Sequence, residues 1–209
     1  QQYHHKMNDV ERKLAESIIK GVRDQLSLFQ NKDGKPTYNF WQTNPSRHFP
    51  NGMLMSKSEH FRIPDDTDDT ALAHLVLGSS KEEAMELLAL FERHANTTRK
   101  SIQNTWDEFK NLKAIGTFFG EKMRIEFDAV VMCNALLLLL HHFDEDEQVI
   151  DDSLKYVEGV IEGDLHKTAP FQAAPNYPST ELIIYHVARL LDTHPTCRLS
   201  ELKENLVDD

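Results

Sequence analysis

Four of the five residues from Asp65 to Asp69 are aspartates, and an apolar helix pattern starts directly after them. Carboxylates this close repel one another at neutral pH, so a folded protein must offset their charge. A divalent cation would do so, as would the partly positive N-terminus of the following helix or protonation of one carboxyl group. Protonation differs from the other two, because a neutral carboxylic acid can donate a proton in catalysis.

The helix that follows this cluster is one of three with a similar pattern. They begin near Asp68, Asp128 and Thr180, 60 and then 52 residues apart, and each is apolar on nearly every face. An amphipathic helix follows each of them. Helices that are apolar all round are buried, and helices with one apolar stripe cover them. The chain is therefore predicted to form helical hairpins with an inner and an outer layer.

The polar residues at the starts of the inner helices are predicted to gather on one side of this arrangement. They include Asp66, Asp68, Asp69 and Thr70 at the first helix, and Glu126 and Asp128 at the second. We call Asp66, Asp68, Asp69 and Asp128 the acidic rim. Helix dipoles also point their positive ends to this side. The sequence therefore predicts a small-molecule site at the acidic rim.

The hexapeptide Asp66–Ala71 fits the pattern Asp-x-Asp-Asp-Thr-Ala at every fixed position. In this motif and in its helix alternation, the chain resembles the α/α-toroid superfamily of terpenoid cyclases, in particular squalene–hopene and class II diterpene cyclases. Those cyclases also carry a repeat that starts with Lys-Gly and ends in Gln-x3-Gly-x-Trp. Residues 20–34 follow its outline, with the tryptophan displaced to Trp41, so the motif-level similarity covers about residues 20 to 77.

The resemblance implies an all-α fold, here an incomplete α/α toroid of about three to four hairpins in a single domain, residues 1–209. A closed ring of six hairpins at this period would need about 300 residues. The resemblance also implies that Asp68 is the general acid that protonates an alkene or epoxide, with Asp66 and Asp69 adjusting its proton affinity. Substrate contacts are then expected from the residues Trp41, Thr70, Glu126 and Asp128. The carbocation would require aromatic faces to stabilise it.

Several other uses of these residues stay open. In the simplest, Asp66 or Asp68 only caps the inner helix, and the chain is a scaffold that binds a ligand or partner through its concave side. A glycosidase-type site would pair Asp68 or Asp69 with Glu126 or Asp128 as acid and base.

Two metal-dependent alternatives use related motifs. Residues 65–69 also fit the Asp-Asp-x-x-Asp pattern by which class I prenyl synthases hold Mg²⁺, with Asp151, Asp152 and Glu158 as an approximate second motif. Protein prenyltransferases bind Zn²⁺ through Asp, Cys and His. The residue types are present as Asp128, Cys133 and His186, but their spacing differs from the family pattern, so no metal or cofactor is expected.

Composition limits the partners and the compartment. A net charge of −11 argues against nucleic acid, which needs clustered Lys and Arg. No apolar run approaches the roughly 20 residues that cross a bilayer. Two isolated cysteines, Cys133 and Cys197, favour a reducing compartment, so a cytoplasmic location is expected. An arc this short would expose inner-helix surface at its ends, which predicts self-association or a long loop folded across it.

Local patterns fix several boundaries. Asn8-x-x-Glu11 and Ser80-x-x-Glu83 are capping-box signatures that predict helix starts. The long segment 35–64 contains four prolines and several aromatic residues, which predicts an ordered, packed loop. Residues 116–120 are predicted to form a loop or short extended piece.

Overall fold

The protein is described by a computed structural model over residues 6–50, 52–203 and 206. Its helices are α1 (Asp9–Leu26), α2 (Gly52–Met55), α3 (Thr67–Leu77), α4 (Lys81–His94), α5 (Ala129–Leu139), α6 (Gln148–Glu162), α7 (Leu165–Thr168), α8 (Pro170–Ala173) and α9 (Thr180–Thr193). Extended segments within these residues meet only as isolated bridges. The all-α prediction is confirmed. No helix in the described ranges has both the length and the apolar character needed to span a bilayer.

The α5 helix is the centre of the core. All eleven of its residues are buried, and it packs against α3, α4, α6 and α9. Every residue from Ala129 to Leu139 except Asn134 is apolar, and a helix of this kind is stable only when other helices cover it on all sides. The predicted buried helix after Asp128 is therefore confirmed.

The two other inner helices flank α5 and differ from it. In α3 the buried residues are Thr67, Asp68, Thr70, Ala71, Ala73 and His74, so its buried surface is largely polar. In α9 the apolar residues Ile183, Val187, Leu190 and Leu191 are buried. However, Leu182 and Tyr185 of α9 are 41% and 58% exposed. The prediction of all-round burial is wrong for α9, because its buried residues recur every three to four positions and form a single stripe.

The outer helices begin where the capping signatures predict. The Asn8 side chain accepts hydrogen bonds from the N–H groups of Val10 and Glu11, and the Glu11 carboxylate accepts from the Asn8 N–H. Ser80 and Glu83 make the same reciprocal pair at the start of α4. Each pair satisfies N–H groups that the first helical turn leaves without partners. Both predicted starts are confirmed.

One side of α1 is an exposed apolar stripe. Val10, Leu14, Ile18 and Val22 recur every four residues and are 77%, 61%, 58% and 42% exposed. The C-terminal half of this helix is attached to α3, where Arg23 Nε donates to the Val76 carbonyl at 2.9 Å. The structure thus leaves apolar surface open on α1 and on α9, and the self-association predicted for the arc stays a prediction.

The predicted ordered segment 35–64 is packed only in part, since Phe40, Trp41 and residues 56–61 are exposed. Tyr38 and Phe49 are buried, and the Tyr38 N–H donates to Thr70 Oγ1 at 2.9 Å. On the other side of α3, the Thr67 N–H donates to the Thr117 carbonyl at 2.9 Å, and residues 116–120 form the predicted loop. Residues 65–67 are therefore held between two loops before the helix begins.

The close packing of α6 predicts opposite effects on stability for two glycine-to-alanine substitutions. A Cβ at Gly159 would lie 2.6 Å from Cε1 of the buried Phe109 ring, whereas a Cβ at Gly21 in α1 meets nothing within 4 Å. Gly159→Ala should lower the free energy of unfolding by about 1–3 kcal/mol through overpacking. Gly21→Ala should raise it by about 0.5–1 kcal/mol, because alanine favours the helix.

Urea denaturation followed by circular dichroism measures both changes. Equal effects at the two glycines would contradict the close packing of α6 on Phe109.

Candidate functional site

Asp65 joins the start of α3 to the preceding loop. Its carboxylate accepts hydrogen bonds from Asn31 Nδ2, Thr37 Oγ1 and Asn39 Nδ2. These donors all lie in residues 31–39, and they occupy both carboxylate oxygens. Asp65 therefore fixes the loop to α3 and leaves the three following aspartates to form the site.

Asp66 is the N-cap of α3. It has an extended backbone, and its Oδ1 accepts from the Asp69 N–H at 2.8 Å, so the interpretation of Asp66 as a helix cap is confirmed. Its backbone is bridged on one side to Tyr38 and on the other to Phe118. These contacts leave the side chain only 8% exposed. The loops that fix the helix start thus also remove its capping carboxyl group from water.

Asp66 and Asp69 form a pair of carboxyl groups. Burial and the charge of Asp69 raise the pKa of Asp66 to about 9, and the two side chains are hydrogen-bonded to each other. Burial also raises the pKa of Asp69, although the hydrogen bond from Asp66 opposes this shift. The two groups therefore titrate together and hold one proton at neutral pH. Asp69 is the more exposed member, at intermediate burial.

Asp68 connects the three inner helices. One carboxylate oxygen accepts from Asn134 Nδ2 of α5 at 2.6 Å, and the other accepts from the Tyr177 hydroxyl just before α9. Asn134 in turn accepts from Arg189 Nη1 of α9 at 3.1 Å. A guanidinium group can only donate, so Arg189 fixes the amide orientation that directs the Asn134 N–H group to Asp68.

Asp128 caps α5 and binds the residues before α9. Its Oδ1 accepts from the N–H groups of Val130 and Val131 at 3.0 and 3.2 Å. Its Oδ2 accepts from Asn176 N and Nδ2 at 2.8 and 3.2 Å. Burial raises the pKa of Asp128 to about 6, although these hydrogen bonds favour the charged form. Asn176 Nδ2 also donates to Glu126 Oε1 at 2.9 Å.

The structure therefore brings the predicted rim together. Asp68 is joined to the segment before α9 by Tyr177, and Asp128 and Glu126 are joined to it by the adjacent Asn176. The starts of α3, α5 and α9 are thus linked by side chains.

Two residues expected to contact substrate lie elsewhere. Thr70 is fully buried, and its hydroxyl is engaged with the Tyr38 backbone on the loop side of α3. Trp41 is 48% exposed and packs edge-on against Phe40. Trp41 follows Asn39, which is bonded to Asp65, so it belongs to the same loop as the first aspartate.

The metal alternatives find no support in the geometry. Within the described ranges, no group of three or more His, Cys, Asp or Glu side chains is arranged to hold a metal ion. In the proposed second magnesium motif, Asp151 and Glu158 pair with Arg198, and Asp152 accepts from the Lys113 N–H. Of the zinc candidates, Cys133 is buried, which raises the pKa of its thiol, and His186 Nδ1 contacts the Leu182 carbonyl at 2.8 Å.

Sequence reasoning missed the residues that bind the carboxylates. Asn134, Asn176, Tyr177 and Arg189 all contact the acidic rim or orient a group that does. One signal was available, because Asn134 is the single polar amide in an otherwise apolar helix, and a buried amide requires partners. The contacts of Asn176 and Tyr177 span 48 and 109 residues, so no local pattern shows them.

Comparison with known proteins adds no family to this description. No protein-family model matches the chain, and neither a curated protein nor a solved structure gives a significant match. The likeness to terpenoid cyclases therefore rests on residues 66–71, on the repeat outline at residues 20–34 and on the helix alternation.

The shared proton predicts how stability depends on pH. Because the pKa of Asp66 is raised from about 3.9 in an unfolded chain to about 9 in the fold, the folded state holds a proton that the unfolded state releases. The free energy of unfolding should therefore fall as pH rises between these values, by up to about 1.4 kcal/mol per pH unit. Asp66→Asn, which copies the neutral acid and keeps the cap, should remove this dependence.

Denaturation at pH 5, 7 and 8.5 tests this expectation. From pH 5 to pH 8.5 the stability of the variant should rise relative to that of the parent by up to about 1.4 kcal/mol per pH unit. The exposed Asp24→Asn serves as the control and should keep the parental slope. An unchanged slope in Asp66→Asn would show that the pair does not hold the proton.

The Asp128 contacts generate a second prediction. An asparagine there has one oxygen, so its NH2 group must face one of the two sets of N–H donors that now bind the carboxylate. We expect Asp128→Asn to lower the free energy of unfolding by about 1–3 kcal/mol, the cost of leaving buried donors unpaired. The control Asp107→Asn changes a side chain that is 93% exposed and should shift stability by less than about 0.5 kcal/mol. A neutral result at Asp128, measured by thermal denaturation, would contradict its role as a link to α9.

Proposed function

We propose that the protein is an incomplete α/α toroid that catalyses an acid-initiated cyclisation or isomerisation of an isoprenoid-like alkene at the acidic rim. The observation that carries this proposal is the Asp66–Asp69 pair, in which a buried, neutral carboxylic acid contacts a half-buried carboxylate. Few arrangements keep a carboxylic acid protonated at neutral pH, and sites of acid catalysis are among them.

The hydrogen bonds favour Asp66 over Asp68 as the source of the proton. Both oxygens of Asp68 are acceptors, from Asn134 and from Tyr177, whereas an acid needs a free O–H. The Asp66 side chain is hydrogen-bonded to Asp69, which is the more accessible of the two. The proton shared by the pair can therefore reach a substrate through Asp69 while Asp66 stays in its capping position.

The proposed step begins with proton transfer to an alkene carbon. A C–H bond forms at that carbon, the π bond breaks, and its other carbon becomes cationic while the Asp66–Asp69 pair is left fully ionised. Asp68 and Asp128 place further negative charge nearby, and the rings of Tyr177 and His186 lie with centroids 6.4 Å apart on the same side. Negative groups and aromatic faces both stabilise a cation. Loss of a proton from the cation to the pair restores the acid.

A non-catalytic scaffold is the second candidate, and one observation favours it. Asp66, Asp68 and Asp128 each make hydrogen bonds that fix helix starts or join helices, so a structural role accounts for their burial without a reaction. The two candidates differ at Asp69, since its carboxylate accepts from Asp66 and is not needed to cap or join any helix. The two-carboxylate glycan site predicted from the sequence stays a prediction.

A deuterium experiment tests the proposed reaction. The protein is incubated with acyclic isoprenoid alkenes of several chain lengths in D₂O, and products are identified by gas chromatography with mass spectrometry. Acid initiation should place one solvent deuterium on the protonated carbon. Asp66→Asn and Asp69→Asn should each lower turnover by about 10²–10⁴-fold, the range for loss of a general acid, while the exposed Asp107→Asn should leave it unchanged.

Folding must be checked in the same preparations. The asparagine at position 66 can accept from the Asp69 N–H and donate to its carboxylate, so this variant should fold like the parent. Formation of labelled product by Asp66→Asn at the parental rate, or the absence of product from every alkene tested, would overturn the enzymatic proposal in favour of the scaffold.

A further inference from the structure

A second site candidate lies on the outer side of α4. A cleft of about 770 Å³ is bounded by parts of residues 31–37 and 59–65, by residues 119–123 and by one face of α4. This volume is within the range of about 300–1,000 Å³ usual for small-molecule sites. The cleft shares only Asp65 with the aspartate cluster, and the carboxylate of Asp65 is already occupied by three donors.

Cationic side chains enter this cleft from several directions. Lys35, Arg93 and Lys122 line it, although the net charge of the whole chain is −11. Arg93 is partnered by Glu121. The side chains of Lys35 and Lys122 make no ion pair with a carboxylate in the described part of the chain, and Lys122 Nζ instead lies 3.2 Å from His60 Nδ1. Two lysine ammonium groups are thus left for an anion.

The acidic groups of the cleft are mostly occupied by partners within the protein. Glu59 pairs with Lys32 and Arg62, and Glu121 pairs with Arg93. Glu86 lies eight residues before His94, about 12 Å away along the α4 axis. At the end of the cleft near His94, the carboxylate of Glu121 acts on the imidazole and is paired with Arg93.

His94 supplies a neutral donor at this end. Its Nδ1 accepts from Arg99 Nη2 at 2.7 Å, so the ring proton is on Nε2. Burial, followed by the charges of Arg99 and Arg93, lowers the pKa of His94 to about 4, and Lys35 acts on it in the same direction. Arg99, Arg93 and Lys35 thus act on the imidazole as cations and Glu121 as an anion, and the ring stays neutral at physiological pH. An N–H group among cations is a favourable place for an anion.

One wall of the cleft is apolar and firmly packed. Phe119, Leu90 and Met123 line it, and the Phe119 ring is held between Phe91 and His94 at centroid distances of 5.6 and 5.5 Å. The Phe119 N–H donates to the Asp65 carbonyl at 3.0 Å, which fixes the loop that carries it. A rigid apolar wall beside a cationic end suits a ligand with an apolar tail and an anionic head.

We propose that this cleft binds a small amphipathic anion, with a phosphate or carboxylate head at Lys35, His94 and Lys122 and an aliphatic tail along Leu90 and Phe119. The site is independent of the reaction proposed for the acidic rim. Because His94 is neutral above about pH 5, its donor is available throughout the range in which phosphate esters and carboxylates are ionised.

Isothermal titration calorimetry with simple probes tests this site. The probes are n-octyl phosphate, octanoate, inorganic phosphate and octanol, all below micellar concentrations. We expect an eight-carbon anion to bind at least tenfold more tightly than both inorganic phosphate and octanol. Whichever of octyl phosphate and octanoate binds with the higher affinity identifies the preferred anionic head group. A preference for either one supports the proposal.

Variants separate this cleft from other surfaces. The double variant Lys35→Met with Lys122→Met should weaken binding of the preferred probe at least tenfold, and Leu90→Ala should weaken it without changing the affinity for inorganic phosphate. Lys81→Met, which removes an exposed lysine at the start of the same helix, should have no effect. Unfolding temperatures confirm that all variants are folded.

Three results would overturn the proposal: no binding of either eight-carbon anion, octanol binding as tightly as the anions, or unchanged affinity in the double lysine variant. None of them depends on turnover at the acidic rim, since the probes are saturated and cannot be protonated as alkenes. A negative result in the calorimetry would not affect the function proposed for the acidic rim. A negative result in the deuterium experiment would not affect the ligand site proposed for the cleft.

Discussion

The buried carboxylate of Asp68 is the constraint on which the inner layer depends. A charge removed from water must have hydrogen-bonding partners, or the fold loses several kcal/mol. Asp68 finds them on two different elements, in Asn134 of α5 and in Tyr177 before α9, and Arg189 of α9 orients Asn134. Apolar contacts alone would allow α3, α5 and α9 to slide, because leucine-rich surfaces tolerate many registers. The hydrogen bonds of Asp68 favour the one register of these helices in which Asn134 and Tyr177 reach its carboxylate.

The four aspartates from Asp65 to Asp69 can lie close together because they differ in hydrogen-bond donors and in protonation. Asp65 is bound by side-chain donors of the preceding loop, and Asp68 by donors of the neighbouring helices. Asp66 accepts from the Asp69 N–H, and the raised pKa of Asp66 lets these two residues share a proton. A single short motif thus combines aspartates held by side-chain donors with a pair of carboxyl groups that shares a proton. A proton held at neutral pH is what acid catalysis requires.

The two candidate sites are both next to Asp65. The acidic rim lies at the starts of the inner helices, and the cleft lies against the outer helix α4. The rim is built from aspartates, whereas basic and acidic side chains both line the cleft. Internal ion pairs occupy Glu59, Glu121 and Arg93, while Lys35, Lys122 and Glu86 make no ion pair among the described residues.

The sequence by itself determined the longer helices and the identity of the acidic cluster. Both capping boxes, the buried helix at Ala129–Leu139 and the ordered segment 35–64 follow from local spacing, because the partners in a cap or a helical stripe lie three or four residues apart. The repeated alternation of buried and covering helices also predicts that Asp68 and Asp128, at the starts of two inner helices, lie on the same side of the arrangement.

Only the tertiary structure decided which aspartates share the proton, which face of α9 is exposed to solvent and where the cleft beside α4 lies. These properties depend on contacts between residues far apart in the chain, such as Tyr177 with Asp68 and Phe119 with His94. A pKa is set by burial and by neighbours in space, and neither can be read from the four carboxylates alone. The residue types were visible in the sequence, but their protonation and exposure were created by packing.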